Sequence, residues 1–169
     1  DGKVIEIESV TYSENTYILV LKDDISSLKD VLKNYLLRYE DFDYGLGMPN
    51  LYASEEFESQ YTYEGDDLGA TWTKAATTFK VWAPTAKTVK VNTYKEGKKG
   101  VSDLIKAYDM KAEDKGVWSV TVDGDLNGVY YTFLVDDREA CDPYAKTLGV
   151  NGDRAMVIDM ESTNPEGWD

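Results

Sequence analysis

The stretch that decides the fold runs from Thr77 to Tyr94 and reads TTFKVWAPTAKTVKVNTY. Phe79, Val81 and Ala83 alternate with Lys80 and Trp82. Pro84 then stops the run, because proline has no backbone N–H to give to a ladder. Val89, Val91 and Thr93 alternate in the same way with Lys90, Asn92 and Tyr94. A period of two sends successive side chains to opposite faces, so these are two strands, each with one apolar face. The turn Glu96-Gly97-Lys98-Lys99-Gly100 follows them. Trp118, Val120 and Val122 make another inward row. Val129, Tyr131, Phe133 and Val135 make the next, across the turn Asp123-Gly124-Asp125-Leu126-Asn127-Gly128. A last strand is expected over Ala155 to Met160, before Asn164-Pro165. Short strands separated by turn signals, without a sustained helix, predict an all-β protein: a β-sandwich whose hairpin-linked sheets are mainly antiparallel.

Toward the N-terminus the signal is weaker. Val4 to Val10 reads as a strand with Ile5 and Ile7 on one face and Glu6 and Glu8 on the other. Ser13, Glu14 and Asn15 form a turn into a second strand, Thr16 to Leu21. From Ile25 through Leu28, Val31, Leu32, Tyr35 and Leu36 the spacing is helical, with Ser27 and Asp30 placed as a capping box. Tyr35, Leu37 and Tyr39 also alternate, so the expectation is a short helix followed by a strand. Residues 40–60 hold Gly45, Gly47 and Pro49 among polar and acidic residues, which is linker chemistry. The expected division is a small β-rich module over 1–47 and the sandwich over 48–169.

Composition narrows the function classes. The 169 residues carry a formal charge of −14, which argues against nucleic acid or an anionic membrane surface as partner. Histidine is absent, which removes Ser-His-Asp and Cys-His catalysis and His-ligated zinc. Cys141 is the only cysteine, so no intrachain disulfide or Cys-cluster metal site forms, and no cofactor is expected. No apolar run approaches the ~20 residues that cross a bilayer. The opening DGKVIEIES lacks the basic-then-apolar layout of a signal peptide, and a start at Asp1 suggests a piece of a longer protein.

Three local patterns bear on chemistry. Asp123 to Gly128 matches the first half of a calcium loop, but its twelfth position is Leu134 where a bidentate glutamate belongs. Its flanks are strand-like, and Asp, Asn and Gly are also what a tight hairpin prefers, so a plain turn is the better reading. The acidic pairs Asp23-Asp24, Asp66-Asp67 and Asp136-Asp137 are the raw material of glycoside hydrolysis only if held ~5–10 Å apart in a rigid cleft. In so acidic a chain they read as solvated surface. Aromatic side chains on a sheet face are the third pattern, because an aromatic ring can stack on the apolar face of a sugar. Alternation puts Trp82 opposite Phe79 and Val81, and Tyr94 and Tyr130 out of phase with their strands' inward residues. Trp118, in phase with Val120 and Val122, belongs to the core. Asp142-Pro143-Tyr144-Ala145 marks a loop.

Taken in order, YTYEGDDLGATWT (Tyr61 to Thr73), TTFKVWAPTAKTVKVNTY, GVWSVTV (Gly116 to Val122), GVYYTFLV (Gly128 to Val135), DPYAKTLGVNGDRAMVIDM (Asp142 to Met160) and NPEGW (Asn164 to Trp168) resemble a known arrangement. It is the region before the catalytic barrel of type I pullulanases, starch-debranching enzymes of glycoside hydrolase family 13. The resemblance covers about residues 51–169. It implies an immunoglobulin-like β-sandwich of carbohydrate-binding module family 48. Residues 1 to about 47 resemble more loosely the small β-rich module that precedes it. The parent enzymes hydrolyse α-1,6 branches with an Asp nucleophile and a Glu acid on a barrel of ~250 residues. That barrel and its histidines are missing here, so the resemblance implies no hydrolase activity and no catalytic residue in this chain.

In glycogen-binding relatives of the module, tryptophans sit in the loop after the strand matching Val89 to Thr93 and just after the strand matching Val129 to Val135. Here those loops read Lys95-Glu96-Gly97-Lys98-Lys99 and Asp136-Asp137-Arg138-Glu139, so no binding residue carries over by matching. Trp82, Tyr94, Tyr130 and Tyr144 are the remaining candidates for carbohydrate contact. Three functions follow as expectations. The first is an accessory module that packs against and supports its own catalytic barrel. The second is an α-glucan-binding module that tethers the enzyme to starch or pullulan. The third is an unrelated bacterial immunoglobulin-like spacer.

Overall fold

A computed structural model describes residues 4–23, 35–45, 51–165 and 167. The chain divides into two compact units, Asp1–Ser59 and Gln60–Asp169.

The first unit contains two hairpins. Strands β1 (Ile7–Ser13) and β2 (Thr16–Leu21) pair antiparallel, with Ser13 opposite Thr16. Glu14 and Asn15 both have positive φ, 50° and 61°, as a two-residue type I′ turn requires to match strand twist. The first strand was expected over Val4 to Val10. It lies three residues further on, because pairing with β2 rather than local alternation sets its ends. Strands β3 (Leu36–Tyr39) and β4 (Phe42–Gly45) form the second hairpin, with the Arg38 guanidinium forked onto the Asp43 carboxylate at 2.7 Å. The strand expected after Tyr35 is β3. The helix expected from Ile25 lies almost entirely outside the described residues.

Residues 40–60 are more than a linker. Phe42–Gly45 is a strand, and Glu55–Tyr61 is a short α-helix. Ser54 caps that helix, its Oγ accepting the Phe57 N–H at 3.2 Å, and Glu55, Glu56 and Glu58 favour the positive end of its dipole.

The second unit is a two-sheet sandwich. One sheet has the order β5 (Gly69–Trp72), β6 (Ala76–Trp82), β10 (Val117–Asp123), β9 (Lys111–Ala112). The other has the order β12 (Arg138–Ala140), β11 (Tyr130–Val135), β7 (Val89–Tyr94), β8 (Leu104–Asp109), with β13 (Ala155–Met156) also pairing β11. Every pairing is antiparallel. The rows expected from alternation are the rows that meet. Phe79 lies opposite Val120 and Val81 opposite Trp118 in one sheet; Val91 lies opposite Phe133 in the other.

Between the sheets lie Phe79, Val81, Val89, Val91, Val122, Tyr131 and Phe133, with Met110, Ala155 and Val157. The Phe79 and Tyr131 rings meet edge-on with centroids 4.9 Å apart, and Tyr131 meets Phe133 at 5.8 Å. Trp118 packs against this core as expected. The last strand is shorter than the expected Ala155 to Met160: it ends at Met156, although Val157 still exchanges backbone hydrogen bonds with the residues around Val129. Strands β5, β8 and β12 carry no clean alternation and were not legible, since each lies at a sheet margin.

Candidate functional site

The outer face of β11–β7 builds the site. In antiparallel register Tyr130 pairs Tyr94 and Thr132 pairs Asn92, so these side chains leave the sheet on the side away from the core. Beyond the β11–β12 turn, Glu139 pairs Leu134 and joins the same face. Its carboxylate accepts the Thr132 hydroxyl at 2.6 Å and the Tyr94 phenol. Burial works to raise the Glu139 pKa, but these donors, the Asn92 side chain and the charge of Lys99 outweigh it and hold the group below its ordinary value. Burial, with Glu139 adding to it, pushes the Tyr94 phenol up.

Arg154 covers this cluster from 60 residues along the chain, counted from Tyr94. It is 5% exposed, and its guanidinium carbon sits 3.6 Å from the Tyr94 ring centroid. Its Nη1 donates to the Glu96 carbonyl at 2.6 Å and to both Asp103 carboxylate oxygens at 2.9 and 3.0 Å. Asp103 also accepts the Glu96 N–H at 2.7 Å. Burial works against the Asp103 charge, yet that N–H and Arg154 hold its pKa below the usual range. The loop after β7 and the segment before β13 can lie this close because Gly97 and Gly149 cross. A Cβ on Gly149 would stand 2.5 Å from the Gly97 carbonyl oxygen.

The two loops singled out by sequence therefore meet. Lys99 from one and Glu139 from the other line a single cavity of about 50 Å³ with Thr132, Ala140, Cys141, Asp153 and Arg154. The Lys99 N–H is held by Asp153 at 3.1 Å. Such a volume admits a few water molecules and falls far short of the ~300 Å³ at which ligand pockets begin. Its lining is ionic, with no aromatic ring.

The four candidate aromatics do not form one platform. Tyr94 and Tyr130 are brought together. However, Tyr94 is buried at 8% exposure under Arg154, and Tyr130 packs on Gly97. The expectation of Tyr94 as an open stacking ring is thus corrected: it does face outward from the sheet, and a distant arginine covers it. Trp82 ends β6 in the other sheet, its indole N–H shared between the carbonyls of Tyr61 at 2.9 Å and Lys115 at 3.0 Å. Tyr144 follows β12, half exposed. Arg154, Asp103 and Thr132 were not foreseen, and no spacing in the sequence marks them.

Three acids of the acidic motifs, Asp125, Asp136 and Asp67, have structural roles. Asp125 Oδ1 accepts both the Trp72 indole N–H and the Asn127 N–H at 3.0 Å each, so this oxygen closes a turn. No group of three or more potential metal-ligating side chains occurs among the described residues. Asp136 is exposed, as read, and its Oδ1 in addition accepts the N–H groups of Lys87 and Thr88 at 2.9 and 3.0 Å and ties the β11–β12 turn to the start of β7. Asp67 likewise pairs with Lys80 at 2.6 Å and accepts the Tyr63 hydroxyl at 2.5 Å.

Residues 67–145 match the family profile of carbohydrate-binding module 48, the isoamylase N-terminal domain. The chain is 38% identical over 106 residues to the pullulanase of Bacillus subtilis (strain 168), covering 60% of this chain and 14% of that protein. The pullulanase of Bacillus acidopullulyticus superposes with a TM-score of 0.70 at 30% identity, over 94% of this chain and 20% of that one. The pullulanase of Anoxybacillus sp. LM18-11 superposes with a TM-score of 0.68 at 34% identity, over 95% and 23%. The chain thus spans less than a quarter of each of these three proteins. Residues 67–145 belong to the family 48 carbohydrate-binding modules, and the chain corresponds to a non-catalytic N-terminal region of pullulanases.

Proposed function

We propose that this chain is the accessory region of a starch-debranching enzyme whose catalytic domain hydrolyses α-1,6-glucosidic linkages, and that its sandwich supports that domain rather than capturing glucan on its own. The observation that carries this reading is the ionic, few-water cavity at the place where sugar-binding relatives of the module carry tryptophans. A sugar ring needs an open aromatic face, and here Tyr94 is committed to Arg154. Apolar surface suited to a protein neighbour is meanwhile present on the segment after β12, where Tyr144, Leu148 and Val150 are each about half exposed. Affinity electrophoresis of the 169-residue chain in amylopectin and pullulan gels tests the reading. Migration as in a blank gel is expected, and retardation with a tryptophan fluorescence change on adding maltooligosaccharide would reject it. In the full-length enzyme, replacing Tyr144, Leu148 and Val150 together by serine is expected to lower the temperature of inactivation while the chemistry at low temperature is kept.

The tether reading has a specific observation in its favour: the open ring surface of Trp82, 38% exposed, and Tyr144, 51% exposed. The same gels decide between the two. An unrelated spacer has no support from the comparisons with pullulanases.

A further inference from the structure

Asp142 is 4% exposed, one of the most buried acids in the sandwich, and no lysine or arginine among the described residues forms an ion pair with it. Its Oδ2 accepts the hydroxyl of Tyr131 at 2.5 Å, a residue itself 1% exposed at the centre of β11. Its Oδ1 accepts the Tyr144 N–H at 2.8 Å. The groups facing it are Tyr131 from β11, the adjacent Cys141, the backbone of Tyr144 and, across from β5, Gly69, on which a Cβ would stand 3.2 Å from Oδ2. None carries positive charge. Asp142 also begins the segment that carries exposed Tyr144, Leu148 and Val150.

We propose that Asp142 is a proton-linked latch, taking up a proton in the closed module and thereby tightening the attachment of the segment that begins at residue 142 to strand β11. In the closed state the ionised carboxylate has only two neutral donors against full burial, whereas on local opening it regains water. A proton from solvent on the carboxyl relieves that cost, and the neutral acid still offers oxygens that accept the Tyr131 hydroxyl and the Tyr144 N–H. Burial as the leading cause raises this carboxyl above its ordinary value, against the lowering effect of its two hydrogen bonds. For a carboxyl raised on closing, the linked stability is fully present below the open-state value and is lost as pH rises through the closed-state value. Most other shifted acids here are lowered and act in the opposite sense, so only a comparison with a variant isolates the latch.

Amide hydrogen exchange at Tyr144 and Ala145, corrected for the intrinsic rate, is measured from acid to neutral pH in the 169-residue chain and in Asp142→Asn. The wild type is expected to lose protection severalfold as pH rises, relative to a protected core amide such as that of Phe133. Asp142→Asn, which keeps an acceptor for the Tyr144 N–H and has nothing to titrate, is expected to show flat protection. The carboxyl carbon of Asp142, followed by NMR, supplies the second readout and does not depend on the variant folding: titration above the ordinary carboxylate range is expected. Parallel pH profiles in the two proteins, or an Asp142 carboxyl that titrates at or below the ordinary range, overturns the latch. Neither result bears on whether the module binds glucan, so the latch fails separately from the proposed function.

Discussion

Replacing Arg154 by lysine separates charge from shape at the site. Lysine keeps the positive charge near Asp103 but loses the planar fork and the face-on contact with Tyr94. In the wild type the guanidinium carbon lies 3.6 Å from the ring centroid and Nη1 donates to the Glu96 carbonyl at 2.6 Å, all at 5% exposure. A desolvated cation–π contact contributes about 2 kcal/mol, and a hydrogen bond from a charged donor about 1.5–3 kcal/mol. Lysine recovers part of the second, so the expected loss is about 2–3 kcal/mol. At about 2–4 °C per kcal/mol for a chain of this size, Tm falls by about 4–12 °C. Urea unfolding gives the free energy, and a cycle with Tyr94→Leu gives the coupling, expected at about 1–2 kcal/mol. A loss below about 0.5 kcal/mol, the level of an ordinary surface substitution, refutes the account of Arg154 as the clamp that closes this face.

Thr77 is 0% exposed and its hydroxyl has no hydrogen-bond partner among the described residues. Burying an unpaired hydroxyl costs about 1–3 kcal/mol, so the near-isosteric Thr77→Val is expected to raise stability by about 1 kcal/mol, read as a higher urea midpoint. Because Asp125 Oδ1 is taken up by Trp72 and Asn127 and no group of three or more potential ligands gathers among the described residues, calcium and chelator are both expected to leave the melting temperature unchanged, and a calcium-dependent rise would revive the metal reading. The Lys80 ammonium first, and the Tyr63 hydroxyl second, hold Asp67 below its ordinary 3.8. A lowered carboxyl contributes stability above the unfolded value that is lost as pH falls through the folded one. Asp67→Asn is therefore expected to flatten part of the acid limb of a stability–pH curve below about pH 4.

Much of the sandwich was legible because period-two alternation is a local property. Phe79 and Val81, Val89 and Val91, and Tyr131 and Phe133 each announce an inward face within their own strand, and those faces are the ones that meet. Trp82 points away from that core for the same reason, half a period out of step with Val81. The marginal strands β5, β8 and β12 were missed because their pairing comes from a neighbour already in place, with little burial on either face to leave a pattern. The first strand's true ends, Ile7 and Ser13, follow from its partner β2.

The site divides along the same line. Residue order alone determined the architecture, the lack of histidine chemistry and the loops in which a sugar platform would have to appear. Only the folded chain decided that Lys99 and Glu139 share one cavity, that Arg154 seals Tyr94, and that Asp142 is buried with no ion pair among the described residues. Each of those outcomes joins residues far apart in the chain or depends on what covers a side chain, and a one-dimensional periodicity records which way a side chain points but not what stands in front of it.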